Sequence, residues 1–307
     1  MVMFDKGLIV SMTAKILGVG EQVVVLGHGY GANHTIWDKI VPSLAEKYRV
    51  LLFDWKVPKV PSASKGPWRD DKVEVVTAVA EEEVVAVEEI EEKEDEDDPF
   101  DEMVKYATYD GFAEDLVDLM DEMGFGSAAS VVFVGHSMSG MIGCIASIQR
   151  PHLFKKLILI GASPRYLNSE GYEGGMEREA VDQLLQEIES NFHGWASAFA
   201  PIAVGGKDVE AAAKFETTLK NMNPEAALSL AKTIFLSDWR DILEEVTTPC
   251  TIIQTTNDIV VPTSVGYYMQ EKMVKPKVEV VDLDTDGHFP QLTVHEQLLD
   301  VLVKALD

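Results

Sequence analysis

The chain has 307 residues, 46% of them hydrophobic, which is enough to bury the core of one large domain. Its formal net charge is −26, and this argues against binding to nucleic-acid phosphates or to an anionic membrane surface. No apolar run approaches the length of a membrane span. We therefore expect neither nucleic acid nor membrane as a partner. Two cysteines are too few for a disulfide scaffold or a four-cysteine zinc site, and the sequence predicts no metal and no cofactor.

The N-terminal region has the pattern strand, loop, helix, strand. Residues 22–26 and 49–53 are apolar runs rich in β-branched side chains, as in buried strands. Between them, Asn33 can cap a helix that carries apolar residues on one side. A strand that is apolar throughout is typical of a parallel sheet covered on both faces.

Residues 60–98 interrupt this organisation with a run that is first rich in proline and serine and then acidic. The segment holds fifteen acidic and four basic residues and supplies −11 of the net charge of −26. Such a composition cannot bury enough apolar surface to offset the entropy of the chain. We predict a solvated, largely disordered insertion loop.

Alternating strands and helices resume after this segment. Apolar residues at 112, 116, 119, 120 and 123 share one helical face. The other predicted strands are 130–134, 156–160, 250–255 and 277–283. The other predicted helices run from the turn at 135–139 through 148, from 264 to 273 and from 294 to 306. Residues 164–236 are helical without a strand signal. We predict a core of residues 1–163 and 237–307, with 164–236 as a lid over the carboxyl edge of a mostly parallel sheet.

The strongest local signal is the segment VVFVGHSMSG at 131–140. An apolar strand runs into Gly135 and Ser137 and then directly into a helix, which is the context of a nucleophile elbow in the α/β-hydrolase fold. The sharp turn needs small flanking residues, and Ser139 replaces the usual second glycine. We predict that Ser137 is the nucleophile.

A serine nucleophile needs a base and an orienting acid, and in this fold they follow it in the order acid, then histidine. Asp258 lies just beyond one predicted strand and His288 just beyond the last, so both belong at the carboxyl edge with Ser137. His288 would take the serine proton, and Asp258 would hold the other ring nitrogen. The weaker alternatives are His34, His136, His152, His193 and His295 for the base, and Asp282, Asp284 and Asp286 for the acid.

An oxyanion hole is also required. The fold supplies one N–H from the residue after the nucleophile, here Met138, and one from the loop after an early strand. The segment His28-Gly-Tyr-Gly occupies that loop, so the Tyr30 backbone N–H is the predicted second donor and its ring would form a wall of the pocket.

Several motifs together resemble the plant DWARF14 and karrikin-insensitive receptor-hydrolases, most closely the DWARF14-LIKE2 branch. The shared segments are HGYG at 28–31, FDW at 53–55, GHSMSGMIGC at 135–144, ASPRYLN at 162–168, WASAFAP at 195–201, SDWRDIL at 237–243, QTTND at 254–258 and GHFPQL at 287–292. The resemblance covers nearly the whole chain apart from roughly residues 57–99.

This resemblance implies an α/β-hydrolase fold with helices on both faces of the sheet and a four-helix lid. It implies a butenolide ligand, similar to strigolactones or karrikin-like signals, that is hydrolysed slowly. It also implies a monomer in cytoplasm and nucleus whose partners are a leucine-rich-repeat F-box protein and transcriptional repressors. The implied substrate-binding residues are Tyr30, Tyr166, Trp195, Phe199, Val260 and Phe289.

Two other functions stay open at this point. One is a general carboxylesterase for small esters without a signalling role. The other is a non-catalytic interaction protein on a hydrolase scaffold, which the complete set of serine, histidine and aspartate disfavours without excluding it.

Overall fold

The computed structural model describes residues 7–57, 99–126 and 131–306. The predicted acidic loop at 60–98 lies outside the described residues.

The described residues form a seven-stranded sheet, which confirms the mostly parallel arrangement predicted from the apolar runs. The spatial order is β1-β3-β2-β4-β5-β6-β7, and every neighbouring pair is parallel except β1 with β3. The strands are β1 Lys15–Leu17, β2 Val23–Gly27, β3 Arg49–Leu52, β4 Val131–His136, β5 Phe154–Ile160, β6 Cys250–Asn257 and β7 Val278–Asp286. All residues of β2 and β4 are buried, as expected for central strands. The edge strand β1 is only three residues long and partly exposed, so it left no pattern in the sequence.

Helices cover the sheet and fill the connections. Outside residues 164–236 they are α1 Gly7–Ser11, α2 Val41–Ala45, α3 Pro99–Lys105, α4 Tyr109–Glu122, α5 Met138–Gln149, α9 Thr263–Lys272, α10 Pro290–Thr293 and α11 His295–Leu306. The predicted apolar face of α4 is buried at Phe112, Leu116 and Leu119. Helix α5 packs on β4 and β5, and α9 packs on β6 and β7. No helix in the described parts of the chain has the length and apolarity needed to cross a membrane.

Residues 164–236 are all described and contain the helices α6 Arg178–Val204, α7 Val209–Lys220 and α8 Pro224–Phe235. Asn191 has non-helical angles (φ −155°, ψ 65°) and divides α6 into two segments, so the predicted lid has four helical segments. The helix starts agree with the sequence: Asp208 caps α7, and Asn223 caps α8 ahead of Pro224. The four-helix arrangement is thus confirmed. The prediction of helix from residue 164 is wrong for residues 164–177, which contain no helix and form isolated bridges between Leu167 and Met176 and between Ser169 and Tyr172.

Candidate active site

Ser137 lies at the turn between β4 and α5. Its backbone has φ 57° and ψ −122°, a left-handed conformation that is uncommon for a residue with a side chain. The Ser137 N–H donates to the Ile160 carbonyl at the end of β5, 2.8 Å away, which holds the turn in place. Strain of this kind persists only where the surroundings impose it, and here it presents the serine at the N-terminus of a helix.

Small residues make this turn possible. A Cβ on Gly135 would lie 2.6 Å from the Ser139 carbonyl oxygen, and one on Gly140 would lie 2.4 Å from the Ala162 Cβ. Ser139 stands where the motif usually has glycine, and its hydroxyl has a structural use. It donates to the His28 carbonyl at 2.5 Å and accepts from the Trp55 indole N–H at 2.9 Å. The departure from the usual motif therefore ties the elbow to the loop at 28–31.

His288 and Asp258 form a buried pair at the same edge of the sheet. The His288 Nδ1–H donates to Asp258 Oδ2 at 2.6 Å, and their side chains are 4% and 1% exposed. The other carboxylate oxygen, Oδ1, accepts from the N–H groups of Val260 and Val261 at 2.8 and 3.1 Å. The acid is therefore held by its own loop, and it fixes the tautomer that leaves His288 Nε2 as a base.

Two of the alternative candidates for the orienting acid, Asp282 and Asp286, make hydrogen bonds with residues other than His288. Asp282 accepts from the Tyr267 hydroxyl, and Asp286 bonds to Asn257 and Lys207 at the surface. The His288 Nε2 atom is buried and makes no hydrogen bond with any described residue. The structure thus brings base and acid together, whereas a bond from the Ser137 hydroxyl to His288 is not made. Such bonds are often long or unformed without substrate.

Gly161 lets the His288 ring come close to the strand edge. It follows the last residue of β5 and has φ +56°, and a Cβ there would lie 2.9 Å from His288 Cε1 and 3.1 Å from Nδ1. Any side chain at this position would therefore push the ring out of place. Sequence motifs did not single out Gly161.

His136 also supports the His288 loop, a role that the sequence did not predict. Its Nε2–H donates to the His288 carbonyl at 2.8 Å, and the two rings lie 4.8 Å apart. Burial lowers the pKa of His136 well below its usual value, so the ring stays neutral. The residue beside the nucleophile thus holds the loop of the predicted base. Only its adjacency to Ser137 could have drawn attention to it.

The loop at 28–31 lies against the elbow, as predicted for an oxyanion hole. A Cβ on Gly29 would lie 2.9 Å from the Ser137 Cβ, so only glycine allows this approach. Met138 is the first residue of α5, and its N–H is among those that have no intrahelical acceptor. Tyr30 follows Gly29 and Met138 follows Ser137, so both predicted donors belong to segments that lie next to the nucleophile, and their role in stabilising negative charge stays a prediction.

Aromatic rings connect the predicted pocket residues in a chain. Tyr30 meets Trp195 edge-on at 6.3 Å, and Trp195 stacks on Phe199 at 5.0 Å. Phe215 continues the chain, 6.4 Å from Phe199 and 4.2 Å from Phe289, and Phe289 lies 5.5 Å from the His288 ring. The sequence did not predict Phe215, although its helical spacing with Ala212 and Leu219 marks the buried face of α7.

Tyr166 and Val260, the remaining predicted pocket residues, are also buried, at 1% and 4% exposure. Burial raises the pKa of Tyr166, and the neighbouring Ser137 hydroxyl opposes that shift. The Tyr166 hydroxyl has no partner at normal hydrogen-bonding geometry among the described residues. A separate surface groove of about 500 Å³ is lined by Asn168, Tyr172, Ser264 and Tyr268 among others, and none of the predicted pocket residues lines it.

The fold and the site define a hydrolase of the α/β type. A family model of the alpha/beta hydrolase fold matches residues 22–293. A hydrolase from Oleispira antarctica has the same fold, with a TM-score of 0.79 at 24% identity, covering 98% of this chain and 97% of its own. An enol-lactonase from Burkholderia xenovorans has a TM-score of 0.69 at 18% identity and covers 95% of each chain.

Curated relatives assign the chain to a subgroup of this family. The chain is 38% identical to the Karrikin insensitive 2 receptor IA of Petunia hybrida, over 95% of this chain and 93% of that protein. It is 36% identical to the Strigolactone esterase D14 of Arabidopsis thaliana, over 99% of each. It is 36% identical to the Strigolactone esterase RMS3 of Pisum sativum, over 96% of this chain and 97% of that protein. The chain belongs to the α/β-hydrolase family and, within it, to the DWARF14 and karrikin-insensitive group. Its place in the DWARF14-LIKE2 branch stays a prediction.

Proposed function

We propose that the protein is a receptor-like serine hydrolase that binds and slowly hydrolyses butenolide-type small molecules. The observation that carries this proposal is the buried His288–Asp258 pair at the same sheet edge as Ser137, with the Phe289 ring 5.5 Å from the His288 ring and 4.2 Å from Phe215 of the lid. The names of the relatives, a karrikin receptor and a strigolactone esterase, support the ligand class.

In the proposed reaction, the Ser137 oxygen attacks the carbonyl carbon of the ester or lactone while His288 Nε2 takes the serine proton. The carbonyl oxygen becomes an oxyanion, which the N–H groups of Tyr30 and Met138 stabilise. When the tetrahedral intermediate collapses, the bond to the leaving oxygen breaks and His288 returns the proton to it. Water then repeats the sequence on the acyl-enzyme, releasing the acid and restoring Ser137.

The enclosed site explains why turnover should be slow and selective. Ser137 is 6% exposed and His288 4%, and Phe289 links the His288 ring to the lid rings Phe215 and Phe199. A pocket of this kind favours a compact, mostly apolar ligand with one reactive carbonyl. A long acyl chain would have to displace packed rings of the lid.

Steady-state rates with p-nitrophenyl acetate, butyrate and octanoate, beside a fluorogenic butenolide, test the proposal. We expect the rate to fall with chain length and kcat on the butenolide to stay well below the enzyme median of about 10 per second. Butenolides should shift the melting temperature, and fatty esters should not. Rates that rise with chain length would instead indicate a general carboxylesterase and would contradict the proposed receptor function.

The partners and location are part of the same proposal. Family resemblance supports a monomer in cytoplasm and nucleus that docks a leucine-rich-repeat F-box protein and transcriptional repressors after binding its ligand. Ligand-dependent pull-down with such an F-box protein would test this. Recovery that does not depend on ligand would contradict it.

A further inference from the structure

The lid contacts the oxyanion-hole loop directly. The Tyr30 hydroxyl donates to the Ala227 carbonyl in α8 at 3.0 Å, although the two residues are 197 positions apart. The Tyr30 ring meets Trp195 of α6 edge-on. Gly31 completes the contact with α7, since a Cβ there would lie 2.4 Å from Leu219 Cδ1. Three lid helices therefore touch a loop of four residues.

On its other side the same loop rests on the nucleophile elbow. Gly29 is in close contact with Ser137, and the His28 carbonyl accepts hydrogen bonds from Ser139 and Trp55. The loop is thus a single layer of backbone between the elbow and the lid. A movement of the lid would reach the Tyr30 N–H without passing through any other element.

The Tyr30 hydroxyl is well suited to transmit such a movement. Tyr30 is 8% exposed, and burial raises the pKa of Tyr30, so the hydroxyl stays protonated and can donate to the Ala227 carbonyl. A buried hydroxyl that loses its acceptor is costly. The ring should therefore follow Ala227 when α8 shifts, and the backbone of Tyr30 moves with the ring.

We propose that the Tyr30 hydroxyl is a positioning group through which the lid sets the geometry of the oxyanion hole. The backbone N–H of Tyr30 is aligned for the transition state only while α8 holds the ring. Lid position then controls the rate of hydrolysis at constant ligand affinity. This inference rests on the proposed hydrolase function, because it needs Ser137 and the oxyanion hole in the roles given above.

Tyr30→Phe tests the inference by removing one oxygen atom and keeping the ring. Tyr172→Phe is the matched control, because Tyr172 is also buried and its hydroxyl also donates to a backbone carbonyl, that of Arg165 at 2.7 Å. On p-nitrophenyl acetate we expect kcat of Tyr30→Phe to fall about three- to tenfold, as for the loss of one hydrogen bond, with KM within about twofold. The control should keep the wild-type kcat.

A second measurement separates positioning from a general loss of order. A small trifluoromethyl ketone forms a charged tetrahedral adduct with the serine, so its inhibition constant reports on the oxyanion hole. It should weaken for Tyr30→Phe by the same factor as kcat/KM. Equal losses in both variants, or wild-type kcat in Tyr30→Phe, would overturn the inference. If Ser137→Ala stays active, the proposed function itself fails, which is a different result.

If Tyr30→Phe does not fold, hydrogen exchange on the wild-type protein decides the question. Binding of the trifluoromethyl ketone should protect the amides of 28–32 and 226–231 together. Protection of the loop without the helix would overturn the inference.

Discussion

Two parts of the site are held in different ways. Ser137 and Asp258 each follow a strand of the sheet, and hydrogen bonds to the end of β5 and within the Asp258 loop fix them there. His288 follows β7 and bonds to Asp258, but its backbone N–H also donates to the Ala203 carbonyl of the lid helix α6 at 2.7 Å. The loop that carries Tyr30 also follows a strand, but three lid helices contact it. The core therefore holds the nucleophile and the acid, whereas the lid holds part of the His288 loop and, as proposed above, adjusts the group that stabilises charge.

The largest effect is expected for Ser137→Ala. Loss of the nucleophile should lower hydrolysis of p-nitrophenyl acetate or a fluorogenic butenolide by about three orders of magnitude or more. Ser147→Ala is the matched control, since Ser147 is a buried serine of the same helix that bonds to the Cys144 carbonyl. It should keep its activity. If Ser137→Ala retains more than about a tenth of the wild-type rate, Ser137 is not the nucleophile.

The second-largest effect is expected for Asp258→Asn, which should lower kcat by about 100- to 10,000-fold. The amide can still occupy the site, but it no longer requires His288 Nδ1 to carry the proton, so the wrong tautomer becomes available. Asp282→Asn is the control, because Asp282 bonds only to Tyr267 among the described residues. Initial rates of both variants give the comparison. Similar losses in the two would contradict the assignment of the acid.

Gly161→Ala should lower kcat by about tenfold or more, because the new methyl group would displace the His288 ring. The left-handed backbone also costs about 1–3 kcal/mol of stability. Gly124→Ala separates the two effects. Gly124 has φ +79° with no atom within 4 Å of the added Cβ, so it should show the stability loss with normal kcat. Equal activities in the two variants would show that the ring tolerates the methyl group.

The smallest effect is expected from replacing residues 60–98 with a short Gly/Ser loop. The charge and composition of the segment indicate that the fold does not depend on it. The melting temperature should stay within a few degrees and the esterase rate within about twofold. Thermal denaturation and the acetate assay measure both. A large loss of soluble protein would mean that the segment contributes to the folded domain.

The same division explains what the sequence could predict. Ser137, Asp258 and His288 can be predicted as a catalytic set because each follows an apolar strand, and strand ends meet at one edge of a parallel sheet. The roles of His136, Gly161 and Phe215 depend on contacts between segments distant in the chain, and no local pattern records such contacts. The bond from Tyr30 to Ala227 spans 197 positions and depends on how the lid packs. The short edge strand β1 was missed for a different reason, since three residues carry no periodicity.

Intact-protein mass spectrometry after incubation with a butenolide tests the central claim most directly. We expect the acyl-enzyme on Ser137 to form faster than water hydrolyses it, so it should accumulate and the wild-type mass should rise by the mass of the ligand or its acyl part. Peptide mapping should place the addition on the peptide that contains Ser137, and Ser137→Ala should show no addition. An unmodified wild-type protein that still hydrolyses the ligand, or an addition that survives in Ser137→Ala, would contradict the claim.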